Sequence, residues 1–196
     1  TKLIHGGVRY LRQGNISLVR EALKERGLLL KNAPHVVHGR EFVIPCYRAW
    51  EKYFYGAGMK LYDALSGEYS IGRSQLLSFE RLPSIAREGL SGGVLYRDGQ
   101  FDDARFLVDL IRTARSHGAA VLNYARVDSL DRGAAGRLNG LSFTDIESNE
   151  TYKIEARTVI NAAGAFCDAV RHMSDPTAEP IVTFAQGIHI VLDRDF

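Results

Sequence analysis

The sequence predicts an α/β fold, a mixed sheet with flanking helices that shades into α+β in one part. Three observations predict it. Amphipathic stretches with apolar residues at helical spacing alternate with short runs rich in β-branched and aromatic residues. Two apolar runs, 138–143 and 152–160, flank the polar Glu147-Ser148-Asn149-Glu150, the pattern of a hairpin. The second run then stops at Asn161-Ala162-Ala163-Gly164, a small-residue turn of the kind at which an α/β sheet lets a ligand approach the backbone.

The elements follow in order. After Gly14, the residues Ile16, Val19, Leu23 and Leu30 fall near one face of a helix, with Asn15 or Ser17 as N-cap. Pro34 stops it, because the residue before a proline avoids helical angles. Residues 41–47 read as a short strand whose Pro45 places it at an edge or a terminus. Trp50, Phe54, Ala57, Leu61 and Leu65 are spaced as the buried face of a second helix ended by Gly67, although Gly56 and Gly58 each cost about 1 kcal/mol relative to Ala. Residues 67–93 are irregular, with one short helix near Pro83–Arg87. A strand follows at 93–97. Asp102 or Asp103 then caps a helix whose buried face is Leu107, Leu110, Ile111 and Ala114, and Gly118 ends it. Residues 119–124 read as a strand.

At 196 residues the chain is one large domain or parts of two. Its 25 basic and 23 acidic residues leave a net charge of +2, and they alternate, as in Arg20, Glu21, Lys24, Glu25 and Arg26, the pattern of a solvated helix face, so no basic stripe argues for nucleic acid. No run of 18 apolar residues is present to form a spanning helix. Cys46 and Cys167 are far apart and in no metal-ligand spacing, which points to two free buried thiols in a reducing compartment, with one disulfide as the alternative. His35 and His38 stand at i, i+3, but they follow Pro34, which ends the helix, and no carboxylate stands at metal-ligand spacing, so no metal is expected. Both ends of the chain, Thr1-Lys2-Leu3 and Arg194-Asp195-Phe196, read as cuts within a longer protein.

The densest motif is Thr1-Lys-Leu-Ile-His-Gly-Gly-Val-Arg-Tyr10. Two adjacent glycines let a backbone lie against something flat or bulky, and an arginine suits bidentate binding of phosphate or carboxylate. By spacing alone a simple turn remains the other reading. Asp102-Asp103 reads as a helix cap, with an acid/base pair as the alternative. His117 reads as a partner of a helix C-terminus, and His35, His38 and His172 carry no assigned role.

This stretch resembles the flavin- and substrate-binding segment of FAD-dependent glycerol-3-phosphate dehydrogenases, which reads Ser/Thr-Lys-Leu-Ile-His-Gly-Gly-Leu-Arg-Tyr-Leu. The resemblance continues through 18–26 and 32–35, resumes at Tyr96, Asp98 and 101–105, and returns at Val159-Ile-Asn-Ala-Ala-Gly164 and Gln186-Gly-Ile-His-Ile-Val191. It spans essentially the whole chain with its blocks in order. It implies a Rossmann-like, FAD/NAD(P)-binding flavoprotein of the D-amino-acid-oxidase-like type. Residues 1–40 and 94–170 would belong to its FAD-binding domain, and 41–93 and 171–196 to its substrate-binding domain.

The resemblance also implies roles. Lys2, Leu3, His5 and Gly6 would line the flavin, and Asn161, Ala162, Ala163 and Gly164 would form a second backbone stretch against FAD. Val127 would lie near the adenine. Arg9 and Tyr10 would face glycerol 3-phosphate, with Arg9 on its phosphate, and His189 would be the catalytic base. Gln186 stands where the family commonly has Lys, Ala163 where it has Thr, and Phe166 where it has Trp. The family's Gly-x-Gly-x-x-Gly turn, which holds the FAD pyrophosphate at a helix N-terminus, is not in this chain, so tight FAD retention by the chain alone is not expected. The implied activity is oxidation of glycerol 3-phosphate to dihydroxyacetone phosphate. Electrons would pass to quinone, in the cytoplasm and peripheral on the cytoplasmic membrane. An oxidase using oxygen and a non-catalytic domain that keeps the fold are the alternatives.

Overall fold

The computed structural model describes residues 2–82 and 88–188. The chain forms two compact units, Thr1–Ala119 and Ala120–Phe196. The helix expected near Pro83–Arg87 lies outside the described residues.

The first unit is built on strand β4 (Gly92–Phe101). Strand β2 (Val37–Cys46) pairs with it along its whole length, from Val37 opposite Phe101 to Cys46 opposite Gly92. The short strands β1 (Leu3–Ile4) and β3 (Gln75–Leu77) also pair with β4, at Gly99–Gln100 and Gly93–Leu95 respectively. β2 is thus an edge, where Pro45 lacks an N–H to give. Helix α1 (Val8–Arg12) follows β1. Helix α2 (Ile16–Asn32) is capped by the Asn15 side chain, which accepts from the Leu18 N–H. Helix α3 spans Ala49–Ser66, and helix α4 spans Asp103–Ser116 with Asp102 as its cap, accepting from the Arg105 N–H at 3.2 Å.

Side chains alternate across a sheet, so Val94, Tyr96 and Asp98 share one face of β4. That face meets α2 and α3 in the main core, made of Val19, Leu23, Cys46, Met59, Tyr62 and Val94. Leu95 and Val43 point the other way, against Leu77, Leu82 and Leu90.

Two faces differ from expectation. Helix α3 buries Gly56, Met59, Tyr62 and Ser66, while Trp50, Phe54 and Leu61 of the expected buried stripe are exposed. On α4, Leu107 and Leu110 of the expected buried face are also exposed.

The second unit is a three-stranded meander of β5 (Ala125–Arg132), β6 (Leu138–Asp145) and β7 (Thr151–Glu155), followed by helix α5 (Cys167–Ser174). The hairpin around Glu147–Glu150 is present between β6 and β7. The strand expected at 119–124 is not formed: Val121 and Leu122 are exposed, Tyr124 sits at φ 54°, and the strand begins one residue later. Residues 156–160 likewise leave the ladder after Glu155, and Ile160 is 84% exposed. A strand needs a partner for its N–H and C=O groups, and no described segment supplies one here. The fold is α/β, but every described strand pair is antiparallel, so neither sheet is mixed among the described residues.

Candidate functional site

The loop from His5 to Tyr10 is shaped by its glycines. Gly7 is the N-cap of α1 at φ 73°, ψ 54°, a left-handed geometry that costs a residue with a Cβ roughly 1–2 kcal/mol. Its N–H donates to His5 Nδ1 at 3.1 Å, so the neutral imidazole carries its proton on Nε2. Its carbonyl accepts from the Tyr10 N–H at 2.8 Å, closing the first turn of α1. Gly6 is buried, and a Cβ there would collide with Leu23 and with the Tyr62 hydroxyl. The backbone can therefore pass this point only as glycine.

Arg9 and Tyr10 are exposed on α1 and open into a cleft of about 1200 Å³, which Leu3 and His5 also line. Its walls are apolar and aromatic: Phe42 and Ile44 from β2, Tyr96 from β4, and Phe54, Ala57 and Leu61 from α3. The stripe of α3 expected to lie in the core therefore forms one wall of this cleft. Apolar walls with a few convergent polar groups are the usual make-up of a small-molecule site. No ion pair or hydrogen bond holds the Arg9 side chain among the described residues, so its five donors remain for a ligand.

Beneath the loop lies a buried polar network. The Tyr62 hydroxyl accepts from the Gly6 N–H at 2.8 Å and donates to Asp98 Oδ2 at 2.9 Å. Arg26 Nη1 reaches Asp98 Oδ1 at 3.0 Å, and Nη2 reaches Ser66 Oγ at 3.4 Å and the Tyr69 carbonyl at 3.3 Å. Arg26 and Tyr62 are each 1% exposed and Asp98 is 3% exposed. Burial pushes the Tyr62 hydroxyl far above its ordinary pKa. The Asp98 charge adds to this shift and Arg26 opposes it. Burial and the same carboxylate also raise Tyr96.

The other expected site residues are placed as follows. Lys2 lines a separate cleft of about 280 Å³ with His35, His38 and Arg105. In the second unit, Val127 sits on β5 opposite Phe143, at an irregularity in the register. Asn161 orders its turn: its Oδ1 accepts from the Ala163 N–H at 3.2 Å and its Nδ2 donates to the Cys167 carbonyl at 2.9 Å. Ala162 and Gly164 are exposed, Ala163 is partly buried, and Gly164 lies at φ 55°. Gln186 is exposed. His189 lies outside the described residues. Both cysteines are free thiols. Among the described residues no cluster of His, Cys, Asp or Glu could hold a metal, and no helix is long and apolar enough to cross a membrane.

The sequence assigns no role to Tyr62 or Asp98 and places Arg26 among the charges of a solvated helix face, whereas the structure buries Arg26 at 1% exposure. A signal was present. Val19, Leu23 and Arg26 share one helical stripe, and an arginine on a buried stripe requires an acidic partner in the core. Asp98, at period two from Val94 and Tyr96, is the acid placed to answer it.

Comparison with known proteins completes the picture. The family model described as FAD dependent oxidoreductase matches residues 1–196. A probable mitochondrial glycerol-3-phosphate dehydrogenase from Caenorhabditis elegans is 41% identical over 206 residues, covering 98% of this chain and 28% of that protein. The mitochondrial glycerol-3-phosphate dehydrogenase of Homo sapiens is 38% identical over 208 residues, covering 98% of this chain and 29% of that protein. The structure of the glycerol-3-phosphate dehydrogenase from Bacillus halodurans complexed with FAD aligns with a TM-score of 0.62 at 27% identity, over 89% of this chain and 28% of that one. L-proline dehydrogenase from P. horikoshii shares the fold at a TM-score of 0.62 and 16% identity. The chain thus spans about three-tenths of the length of these two curated relatives. Both are named mitochondrial, which overturns the location on the cytoplasmic membrane expected from the sequence.

Proposed function

The chain belongs to the family of FAD-dependent oxidoreductases, and on that premise we propose that the protein containing it oxidises sn-glycerol 3-phosphate to dihydroxyacetone phosphate. FAD would supply the hydride acceptor. The observation that carries the proposal is Arg9, exposed and uncommitted at the mouth of an apolar cleft, one turn from a glycine pair whose backbone cannot carry side chains. The fit to a flavin rests on the same cleft: its aromatic walls suit a flat ring, and Gly7 brings backbone without a side chain to its edge.

In this reading Arg9 takes the phosphate as a bidentate partner and Tyr10 borders the substrate, which fixes the C2 carbon in place. His189 accepts the C2 hydroxyl proton, as an imidazole that titrates near neutral pH can. Lys2, Leu3, His5 and Gly6 in the first unit are proposed cofactor-binding positions. Val127, Ala162, Ala163 and Gly164 are proposed as such in the second. Residues 1–40 and 94–170 are assigned to the FAD-binding part, and 41–93 and 171–196 to the substrate-binding part. Quinone is the proposed electron acceptor. Fast flavin re-oxidation by oxygen rather than by quinone would make the protein an oxidase instead.

The test uses the whole protein and turnover per bound flavin. Arg9→Ala is expected to lower kcat/KM for glycerol 3-phosphate by about 10- to 100-fold, the worth of one charge-assisted hydrogen-bonding partner, while glycerol stays almost equally poor with both forms. His189→Ala is expected to lower kcat by about 10²–10⁴-fold with a smaller change in KM. Equal losses on both substrates for Arg9→Ala would remove the arginine from the phosphate. Near-wild-type turnover of the His189 variant would remove the histidine from catalysis.

A further inference from the structure

We infer that Asp98, acting through the Tyr62 hydroxyl, is the positioning group for the His5-Gly6-Gly7 backbone, so that a buried acid more than ninety residues along the chain sets where Arg9 and Tyr10 stand. This rests on the reading that Arg9 and Tyr10 face the substrate. A tyrosine hydroxyl has one proton and two lone pairs. Asp98 Oδ2 takes the proton at 2.9 Å, which turns a lone pair toward the Gly6 N–H at 2.8 Å. Arg26 fixes the carboxylate from the other side at 3.0 Å. The relay has little freedom to drift, because Arg26, Tyr62 and Asp98 are all almost fully buried.

Packing alone does not need this relay. Tyr62 already fills the core with Val19, Leu23 and Met59, and a phenylalanine would fill the same space. What the hydroxyl adds is a fixed acceptor for a loop N–H that has no strand partner of its own. Gly6 presses against that hydroxyl and Leu23, with no room for a side chain between them. From Gly6 the path to the cleft is short: Gly7 turns at φ 73°, and its carbonyl anchors Tyr10 in the first turn of α1. A shift at the hydroxyl is passed to Arg9 through three residues of constrained backbone.

The experiment compares Tyr62→Phe with Ser66→Ala in the whole, FAD-loaded protein. Ser66→Ala removes one contact of Arg26, at 3.4 Å, and the bond the Ser66 hydroxyl donates to the Tyr62 carbonyl at 3.1 Å, but leaves the Tyr62 hydroxyl and its relay to Gly6 intact. Two readouts are taken: amide hydrogen exchange at Gly6 and Gly7, and steady-state kinetics on glycerol 3-phosphate. Tyr62→Phe should speed exchange at Gly6 by about tenfold or more while the core amides of Val19 and Leu23 keep their protection. It should also lower kcat by about tenfold, as misplacement of a substrate-positioning group does, in a protein that melts earlier but still as one cooperative transition. Ser66→Ala should change neither. Unchanged Gly6 exchange in Tyr62→Phe overturns the proposal. So does equal acceleration in Ser66→Ala, or a Tyr62→Phe protein that fails to fold, since each makes the network part of the fold and not of the loop. Faster Gly6 exchange with no activity on glycerol 3-phosphate in the wild type would sink the substrate reading and leave the relay standing.

Discussion

Replacing Arg26 with methionine puts the buried network to its most direct energetic test. The substitution keeps most of the apolar arm and deletes the guanidinium. Four contacts go: Asp98 Oδ1 at 3.0 Å, Ser66 Oγ at 3.4 Å, and the carbonyls of Tyr69 at 3.3 Å and Arg97 at 3.4 Å. Among the described residues the Asp98 carboxylate then keeps only the Tyr62 hydroxyl and is left as an uncompensated charge at 3% exposure. Removing one partner of a buried ion pair costs about 3–5 kcal/mol, a large part of the roughly 5–15 kcal/mol that holds a domain together. At a typical slope of about 2 kcal/mol per molar, the urea midpoint should fall by about 2 M. Adding Asp98→Asn removes the stranded charge and keeps an oxygen for Tyr62, so the double variant should recover about 1–3 kcal/mol. Urea unfolding followed by circular dichroism reads all three proteins. A single-variant loss below about 1 kcal/mol, or a double variant no better than the single, would show that the pair is not held in the buried geometry described.

Two further predictions follow from the same region. Tyr62 has a folded pKa raised above its unfolded value of about 10, so its stabilising share is complete below that pH and is lost as pH climbs past it, by up to about 1.4 kcal/mol per pH unit; urea midpoints at pH 9, 10 and 11 should decline, and should decline less in Tyr62→Phe. Gly6→Ala forces a methyl group against Leu23 and the Tyr62 hydroxyl and should cost about 1–3 kcal/mol, read as a lower melting temperature, whereas Gly14→Ala meets nothing within 4 Å and should cost only the strain of its positive φ, about 1–2 kcal/mol.

The two units differ in how much of them the sequence discloses. Local chemistry is well disclosed in both. Asn15 and Asp102 cap α2 and α4, and the polar Glu147–Glu150 turn joins two strands. Such signals are satisfied by near neighbours and need no distant partner. The failures are at 119–124 and 156–160, where apolar runs meet the composition of a strand and form none. A strand is defined by the ladder beside it, and composition records the demand for a ladder without supplying one. Leu122 at 65% and Ile160 at 84% exposure are the measure of that unmet demand. Strand β5 was missed for the converse reason. Ala125–Arg132 is mostly polar, and it is held by register to β6 and by contacts such as Thr144 Oγ1 to Asp128 Oδ2 at 2.6 Å.

Helix α3 shows why periodicity alone could not place the site. It carries two apolar stripes at helical spacing. One runs Trp50, Phe54, Ala57, Leu61; the other runs Tyr55, Met59, Tyr62. The first is the more hydrophobic, and periodicity alone makes it the buried face. The second carries a hydroxyl and is the face that is buried, because only it can answer Asp98 and the Gly6 N–H across the interface with β4. Polar complementarity with residues far along the chain therefore chose the helix rotation, and a single-helix pattern holds no information about it. The consequence is functional. Turning Tyr62 inward turns Phe54, Ala57 and Leu61 toward the cleft that Arg9 and Tyr10 border, so one rotation both secures the loop and supplies the apolar wall opposite its cation. A variant that favoured the other rotation, such as Tyr62→Lys with its charge excluded from the core, would lose the anchor and the wall together.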